Sequence, residues 1–230
     1  ITEKAPAKTA VNLSYGFDSF SEFYENFENV QRTNNSEQFR TYESGLKKVE
    51  QFLKISVKEQ FVDWIGEEIA LLQINSNISK NKNDVALVLQ TTDIKAAKKQ
   101  LDFVLEQIRK KTPVKFKTIP YKGHEINFLS IKGFFKLFLG NRFKAFDKPY
   151  FTIISDKVVF SDSPNTLKNM INSYEDKQTL ENAKDFQDFN QAFQKKSSVF
   201  AYINVPLLYD TFYGLADKTT QQQLKSNKDY

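Results

Sequence analysis

His124 is the one histidine in 230 residues, and the chain has no cysteine. A single imidazole cannot build a multi-histidine metal site and has no thiolate to share one with. Beside Gly123 it reads as an exposed residue of a hairpin turn. The acids that gather in sequence are Asp63, Glu67 and Glu68, around Trp64. Two carboxylates near an aromatic ring are the raw material of a glycosidase-like acid/base pair. A hydrolase whose acids converge in three dimensions is therefore one reading. At a four-residue spacing on a short, ending helix, these carboxylates are better suited to solvating its outer face. No G-x-S-x-G and no glycine-rich phosphate loop occurs, and there are only seven glycines in all. No residue is assigned to catalysis, to a cofactor or to a metal, and the expectation is a protein that is not an enzyme.

Binding has more to work with. From Lys110 to Lys122, Lys110, Lys111, Lys115, Lys117 and Lys122 interleave with Phe116 and Tyr121. Cations with stacking rings suit single-stranded nucleic acid. No nucleic-acid motif surrounds them, so no nucleic-acid partner is expected. From Ile131 to Phe146, IKGFFKLFLGNRFKAF puts Ile131, Phe134, Phe135 and Phe138 on one helical face. Lys132, Lys136, Arg142 and Lys144 are interspersed. The candidate binding residues are thus Lys132, Phe134, Phe135, Lys136, Phe138, Arg142 and Lys144, on a helix lying on an anionic membrane or against a partner. The same pattern fits a helix that covers a sheet and stops at Gly140-Asn141. A second aromatic stripe, Phe20, Phe23, Tyr24 and Phe27, has the same two readings, ligand groove or core, and helical spacing favours core.

The elements behind these residues follow from pattern. Hydrophobic residues make up 40%, with 22 Phe against one Trp and one Met, so phenylalanine fills much of the core. Arg109 to Lys148 holds eleven Lys/Arg and two acids, which leaves the rest of a +5 chain net negative. A basic middle suits an anionic partner or a solvated surface. Residues 1–8 lack periodicity and read as a flexible end. Val11, Leu13 and Tyr15 alternate as a strand, and Ser19-Phe20-Ser21-Glu22 opens a helix with a capping box. Phe39, Tyr42, Leu46, Val49 and Leu53 mark a second helix, with Gly45 inside it. Ser56 to Glu59 opens a short one that Gly66 ends. Strands follow at Glu68 to Ile74 and Asp84 to Gln90, joined by the polar loop Asn75 to Asn83. Thr92 or Asp93 caps the clearest helix, carrying Ile94, Ala97, Leu101, Val104, Leu105 and Ile108, and Thr112-Pro113 ends it. Val114 to Ile119 and Glu125 to Ile131 read as strands around Lys122-Gly123.

The organising stretch is Tyr150 to Asp176, YFTIISDKVVFSDSPNTLKNMINSYED. Two apolar runs flank Ser155-Asp156-Lys157 as a hairpin. Ser163 suits an N-cap and Pro164 the first helical position, with Leu167, Met170, Ile171 and Tyr174 on the buried face. Leu180 to Phe193 reads as helix, Val199 to Val205 as strand, and Pro206 opens a helix with Leu207, Leu208 and Phe212. Thr9-Ala10-Val11-x-Leu13 echoes Ser197-Ser198-Val199-x-Ala201, as in a duplicated unit.

The strand, short turn, strand ending in Ser161-Asp162-Ser163-Pro164, then helix resembles the bacterial envelope family catalogued as domain of unknown function 3352. Phe61-Val62-Asp63-Trp64-Ile65-Gly66-Glu67-Glu68 resembles its helix end running into a strand. Phe186 to Phe193 and Val199 to Val205 resemble its later helix and strand. The resemblance spans roughly residues 55–210 and implies an envelope protein of a Gram-negative, Bacteroidetes-like bacterium. It implies no catalytic residue.

The fold expected is α+β, an antiparallel sheet built from hairpins with helices packed mainly on one face and a possible duplicated unit. Loops too short for crossovers argue against a doubly wound parallel sheet. The domain expected runs over 9–217, with 218–230 a polar tail. The function expected is an envelope-associated binding or scaffolding module. Its partner would be a protein or a membrane surface. It would sit in the periplasm or envelope, anchored by a segment missing from this sequence. No window approaches the ~20 apolar residues of a membrane span.

Overall fold

The computed structural model describes residues 1–34, 37–75, 84–112, 118–140, 143–193 and 197–226. Its frame is an eight-stranded sheet in which every described ladder runs antiparallel. The strands are β1 (Thr9–Gly16), β2 (Ile65–Ile74), β3 (Asp84–Thr91), β4 (Ile119–Tyr121), β5 (His124–Phe128), β6 (Tyr150–Ile154), β7 (Lys157–Ser161) and β8 (Val199–Ile203). Across the sheet they lie in the order β4-β5-β6-β7-β3-β2-β1-β8. The helices are α1 (Phe20–Thr33), α2 (Glu37–Leu53), α3 (Ile94–Lys111), α4 (Phe134–Leu139), α5 (Pro164–Glu175), α6 (Lys184–Asn190), α7 (Val205–Leu215) and α8 (Lys218–Ser226). The architecture is α+β, as the hairpin pattern implies.

The order of strands is a duplication written in space. One unit runs β1, helices, β2, β3, α3. The next runs β5, α4, β6, β7, α5. They meet where β3 pairs with β7, and Val88 lies opposite Val159. Outward from that pair the strands run β7-β6-β5-β4 on one side and β3-β2-β1-β8 on the other, but α3 and α5 pack on opposite faces, so the likeness is one of strands and not of all the helices. β8 followed by α7 repeats the opening of a unit.

Faces alternate along each strand, as the pleat requires. Leu87, Leu89, Val158 and Phe160 turn to one face, under α1 to α4. Val88 and Val159 turn to the other, under α5 and α6. Helices therefore cover both faces, although the three longest, α1, α2 and α3, share one. The second face is closed because α5 follows directly from β7. Thr166 Oγ1 donates to buried Asp84 Oδ1 at 2.7 Å, which fastens α5 to β3.

Local chemistry explains the boundaries. Ser19 accepts from Glu22 N at 3.2 Å, and Asp93 accepts from both Lys95 N and Ala96 N, so each closes a free helix N-terminus. The segment opened by Ser56 is one π-type turn, Lys58–Val62. Gln60 folds back to accept from Ser56 N at 2.6 Å, and β2 begins at Ile65. Gly66 thus lies inside a strand. Ala183 is extended and separates a 3₁₀ turn, Leu180–Asn182, from α6, where one helix was expected.

Three expectations are corrected. Residues 1–8 are not a loose end. Ala5 is fully buried, Leu180 N donates to Ala5 O at 2.7 Å, and Ala7 N donates to Gln178 O at 2.9 Å. Small residues and main-chain bonds hold this segment, and neither leaves a periodic trace. The polar run after Asp217 is helical from Lys218 to Ser226, started by Asp217 accepting from Thr220 N at 2.9 Å, and that helix buries no side chain. The face of α4 is core, not a contact surface. Phe134 and Phe135 are fully buried and Phe138 is 1% exposed. Gly133 (φ 69°) and Gly140 (φ 91°) turn the chain in and out of this helix through left-handed backbone that suits glycine. Phe134 meets Phe61 at 4.4 Å and Phe135 meets Phe160 edge-on at 4.8 Å. Residues 113–117, most of the Asn75 to Asn83 loop, and Asn141 fall outside the described residues.

Phe134→Ala should lower stability by about 3–5 kcal/mol, the usual cost of emptying a phenylalanine site in a packed core. Urea denaturation followed by far-UV circular dichroism measures it. A loss under about 1 kcal/mol would mean that α4 does not pack as described.

Candidate binding groove

The sequence-proposed candidates do not come together as a site. Lys132, Lys136 and Lys144 are exposed on the solvent side of the segment whose phenylalanines, Phe134, Phe135 and Phe138, are buried. Arg142 lies outside the described residues. The apolar surface that a membrane would need is therefore spent on the sheet. Asp63 and Glu67 are exposed and sit on different elements, because the turn ends at Val62 and Glu67 belongs to β2. Neither lines any of the cavities described below. Trp64 between them is buried and donates through Nε1 to Gln60 O at 2.6 Å. His124 is a structural joint: Nδ1 lies 2.8 Å from Ile153 O and Nε2 lies 3.2 Å from Glu175. Among the described residues no group of three or more His, Asp or Glu side chains is placed to hold a metal. No helix among them is long and apolar enough to cross a membrane.

The structure divides the aromatic stripe of α1. Phe20 and Tyr24 enter the core, whereas Phe23 is 48% and Phe27 40% exposed. At about 100° per residue, Phe23 lies roughly 60° around the helix from Phe20. That rotation carries it off the covered part of the sheet. Beneath it the cross-strand row reads Val199, Tyr15, Ile69, Leu89, Val158. The inner members are buried under helices, while Val199 is 57% exposed. At the other end of the same face the strands carry Pro120, Glu125 and Asn127, a polar surface. The strand order of the two ends is alike, and only one end is apolar.

Between α1 and this uncovered corner runs a groove of about 560 Å³. Phe17, Phe20, Phe23 and Phe27 form one wall, with Phe17 edge-on to Phe20 at 5.2 Å and 4.7 Å from Phe23. Phe138, Leu139 and Phe143 close the inner end, and Ser198 and Val199 form the far lip. Its charged lining is acidic, Asp18 and Glu22, with no lysine or arginine. Val199 reaches the groove through pairing of β8 with β1, Phe143 through the turn after α4, and Phe17 from the link between β1 and α1, and none of the three belongs to the helical stripe that the sequence shows.

Two other cavities have a more mixed lining. One of about 520 Å³ lies where residues 6–8 meet α5 and the 3₁₀ turn, lined by Asn169, Ser173, Gln178 and Asn182 among others. The other, about 200 Å³, separates α1 from α2. There Tyr24 and Tyr42 share a hydroxyl hydrogen bond of 2.6 Å. Burial pushes the Tyr42 phenol up to about 12, and that of Tyr24 further, so both are neutral hydrogen-bond partners at physiological pH. Burial also holds Glu28 above the usual carboxylate range. Arg32 opposes this, and repulsion from Glu43 adds to it.

A raised carboxylate has a signed consequence. Folded Glu28 holds its proton more tightly than the unfolded chain does, so its ionisation lowers stability as pH rises above the ordinary Glu range. Glu28→Gln lacks that titration. The stability of the variant relative to the parent should therefore improve as pH climbs from below the ordinary Glu range to neutrality, read by urea denaturation at each pH. A difference that is flat or moves the other way would contradict the burial of this carboxylate.

No curated protein and no solved structure matches the chain. The profile of one family matches residues 5–230, a wider span than the motifs alone suggest. The chain belongs to the family described as "Protein of unknown function (DUF3352)".

Proposed function

We propose that this chain is a binding module of a bacterial cell envelope, without catalytic chemistry, and that it takes an apolar ligand in the α1 groove. The observation that carries the reading is the exposure of Phe23 and Phe27 over a 560 Å³ apolar groove. Apolar, concave and partly preformed is the usual character of a ligand site. The acidic rim at Asp18 and Glu22 narrows the ligand to an apolar body with a neutral or cationic end. A carboxylate or phosphate head would meet like charge there. The envelope setting rests on the resemblance of the hairpin-helix motifs to an envelope family. A hydrolase is not favoured, because its proposed acids lie exposed and apart from the cavities.

Titration calorimetry with dodecyltrimethylammonium and with dodecanoate, both below their micelle concentrations, tests this. The ammonium amphiphile should bind more tightly than the carboxylate. Phe23→Ser/Phe27→Ser should weaken it by roughly 10–100-fold, from about 1–3 kcal/mol of lost apolar contact. Asp18→Asn/Glu22→Gln should remove the preference for the cation. Equal binding by the parent and the phenylalanine variant would sink the groove as the site.

A further inference from the structure

The cavity of about 520 Å³ on the α5 face lies across the sheet from the α1 groove, and its lining is of another kind. Its walls come from three parts of the chain: residues 6–8, Asn75 at the end of β2, and α5 with the turns that follow it. Main-chain bonds fix these parts to one another. Ala7 N donates to Gln178 O at 2.9 Å, Asn75 N donates to Lys8 O at 2.8 Å, and Pro6 bridges Thr179. The opening residues, which carry no periodic signal, are thus one wall of a preformed cavity.

Pro6, Ala7 and Ala183 give a small apolar surface, with no aromatic ring among the described lining residues. Around it stand four carboxamides, Asn75, Asn169, Gln178 and Asn182, and the hydroxyl of Ser173. Asn169 and Ser173 are four apart on α5 and so share one flank of the helix. Among the described residues the side chains of Asn169, Ser173 and Gln178 have no hydrogen-bond partner. Asn182 Nδ2 donates to Lys177 O at 3.0 Å and Asn75 Nδ2 to Leu207 O at 3.3 Å, which leaves each Oδ1 as an acceptor. The charged lining is Lys8 and Lys177, with no carboxylate among the described residues and no ion pair at either lysine. Lys177 ends α5 in a Schellman turn: Gln178 N donates to Ser173 O at 2.8 Å and Lys177 N to Tyr174 O at 3.1 Å. The left-handed position of that turn (φ 55°) is usually glycine, and here it carries a cation to the cavity.

We propose that this cavity binds an acidic saccharide, a sugar unit that carries a carboxylate. Carboxamides both donate and accept, as sugar hydroxyls do, so several around one space match a hydroxyl-bearing ring rather than a bare anion. The apolar surface suits the C–H face of that ring. The two lysines supply charge-assisted hydrogen bonds to the acid group. The volume is that of a small-ligand cleft. A nucleotide would call for a ring to stack on. A peptide strand would call for free main-chain groups, and here Ala5, Ala7, Gln178 and Leu180 already pair with one another. The site is independent of the α1 groove, so either can fail alone.

Titration calorimetry on the whole chain tests this with trisaccharides of galacturonate and of glucuronate. Maltotriose, triglutamate and inorganic phosphate are the comparisons. A uronate trisaccharide should bind, and each comparison should bind at least roughly 10-fold more weakly, the worth of one charge-assisted hydrogen bond. Lys8→Gln/Lys177→Asn, with asparagine to keep the left-handed turn, should weaken the uronate by roughly 10–100-fold. Asn169→Asp sets a like charge on the α5 flank and should weaken it too, with an unchanged circular dichroism spectrum. Lys98→Gln, on exposed α3 across the sheet, should bind as the parent does. No binding of either uronate up to millimolar concentration, equal binding of phosphate or triglutamate, or parent-like affinity in the lysine and Asn169 variants would overturn the proposal.

Discussion

The ladder between β3 and β7 is the interaction on which the rest of the structure depends. Each half of the sheet contributes its own hairpins and helices, and this one run of pairing joins them. Leu87, Leu89, Val158 and Phe160 lie within the core of one face, and Val88 and Val159 within that of the other. A single strand pair is thus buried on both sides, which is why it reads as a continuous apolar run. Because the ladder is antiparallel, the strand order of one half reappears in the other, although α3 and α5 pack on opposite faces.

That likeness also makes differences informative. Packing needs explain what the halves share. They do not explain why one corner bears Pro120, Glu125 and Asn127 and its counterpart Val199, Tyr15 and the flank of α1. The groove belongs to the β8 end, where Val199 forms its lip.

Much of this fold was legible because it is local. Caps at Ser19, Asp93 and Ser163, the tight turn before Lys157 and the stripe of α3 each rest on residues a few positions apart. The family's hairpin-helix motif is local in the same sense. What was not legible depends on contacts distant in sequence. Helical spacing reported that Phe20, Phe23, Tyr24 and Phe27 share a side of α1. It could not report that the covered sheet ends between Phe20 and Phe23. The same spacing made α4 a fair candidate for a membrane face, and only the sheet beneath it turns Phe134, Phe135 and Phe138 inward. Residues 1–8 are held by main-chain bonds to Gln178 and Leu180, which no side-chain pattern encodes.

The pairing of β1 with β8 joins Val11 to Ile203, near opposite ends of the described chain. The entropy of closing a loop grows with the logarithm of its length, so this ladder carries the largest closure cost in the sheet. The hairpins β2–β3 and β6–β7 close short loops, the β3–β7 junction a longer one, and β1–β8 the longest. The groove thus takes its far lip, Ser198 and Val199, from the part of the chain most distant in sequence from Phe17 and α1, and its shape depends on the ladder that costs the most chain entropy to close.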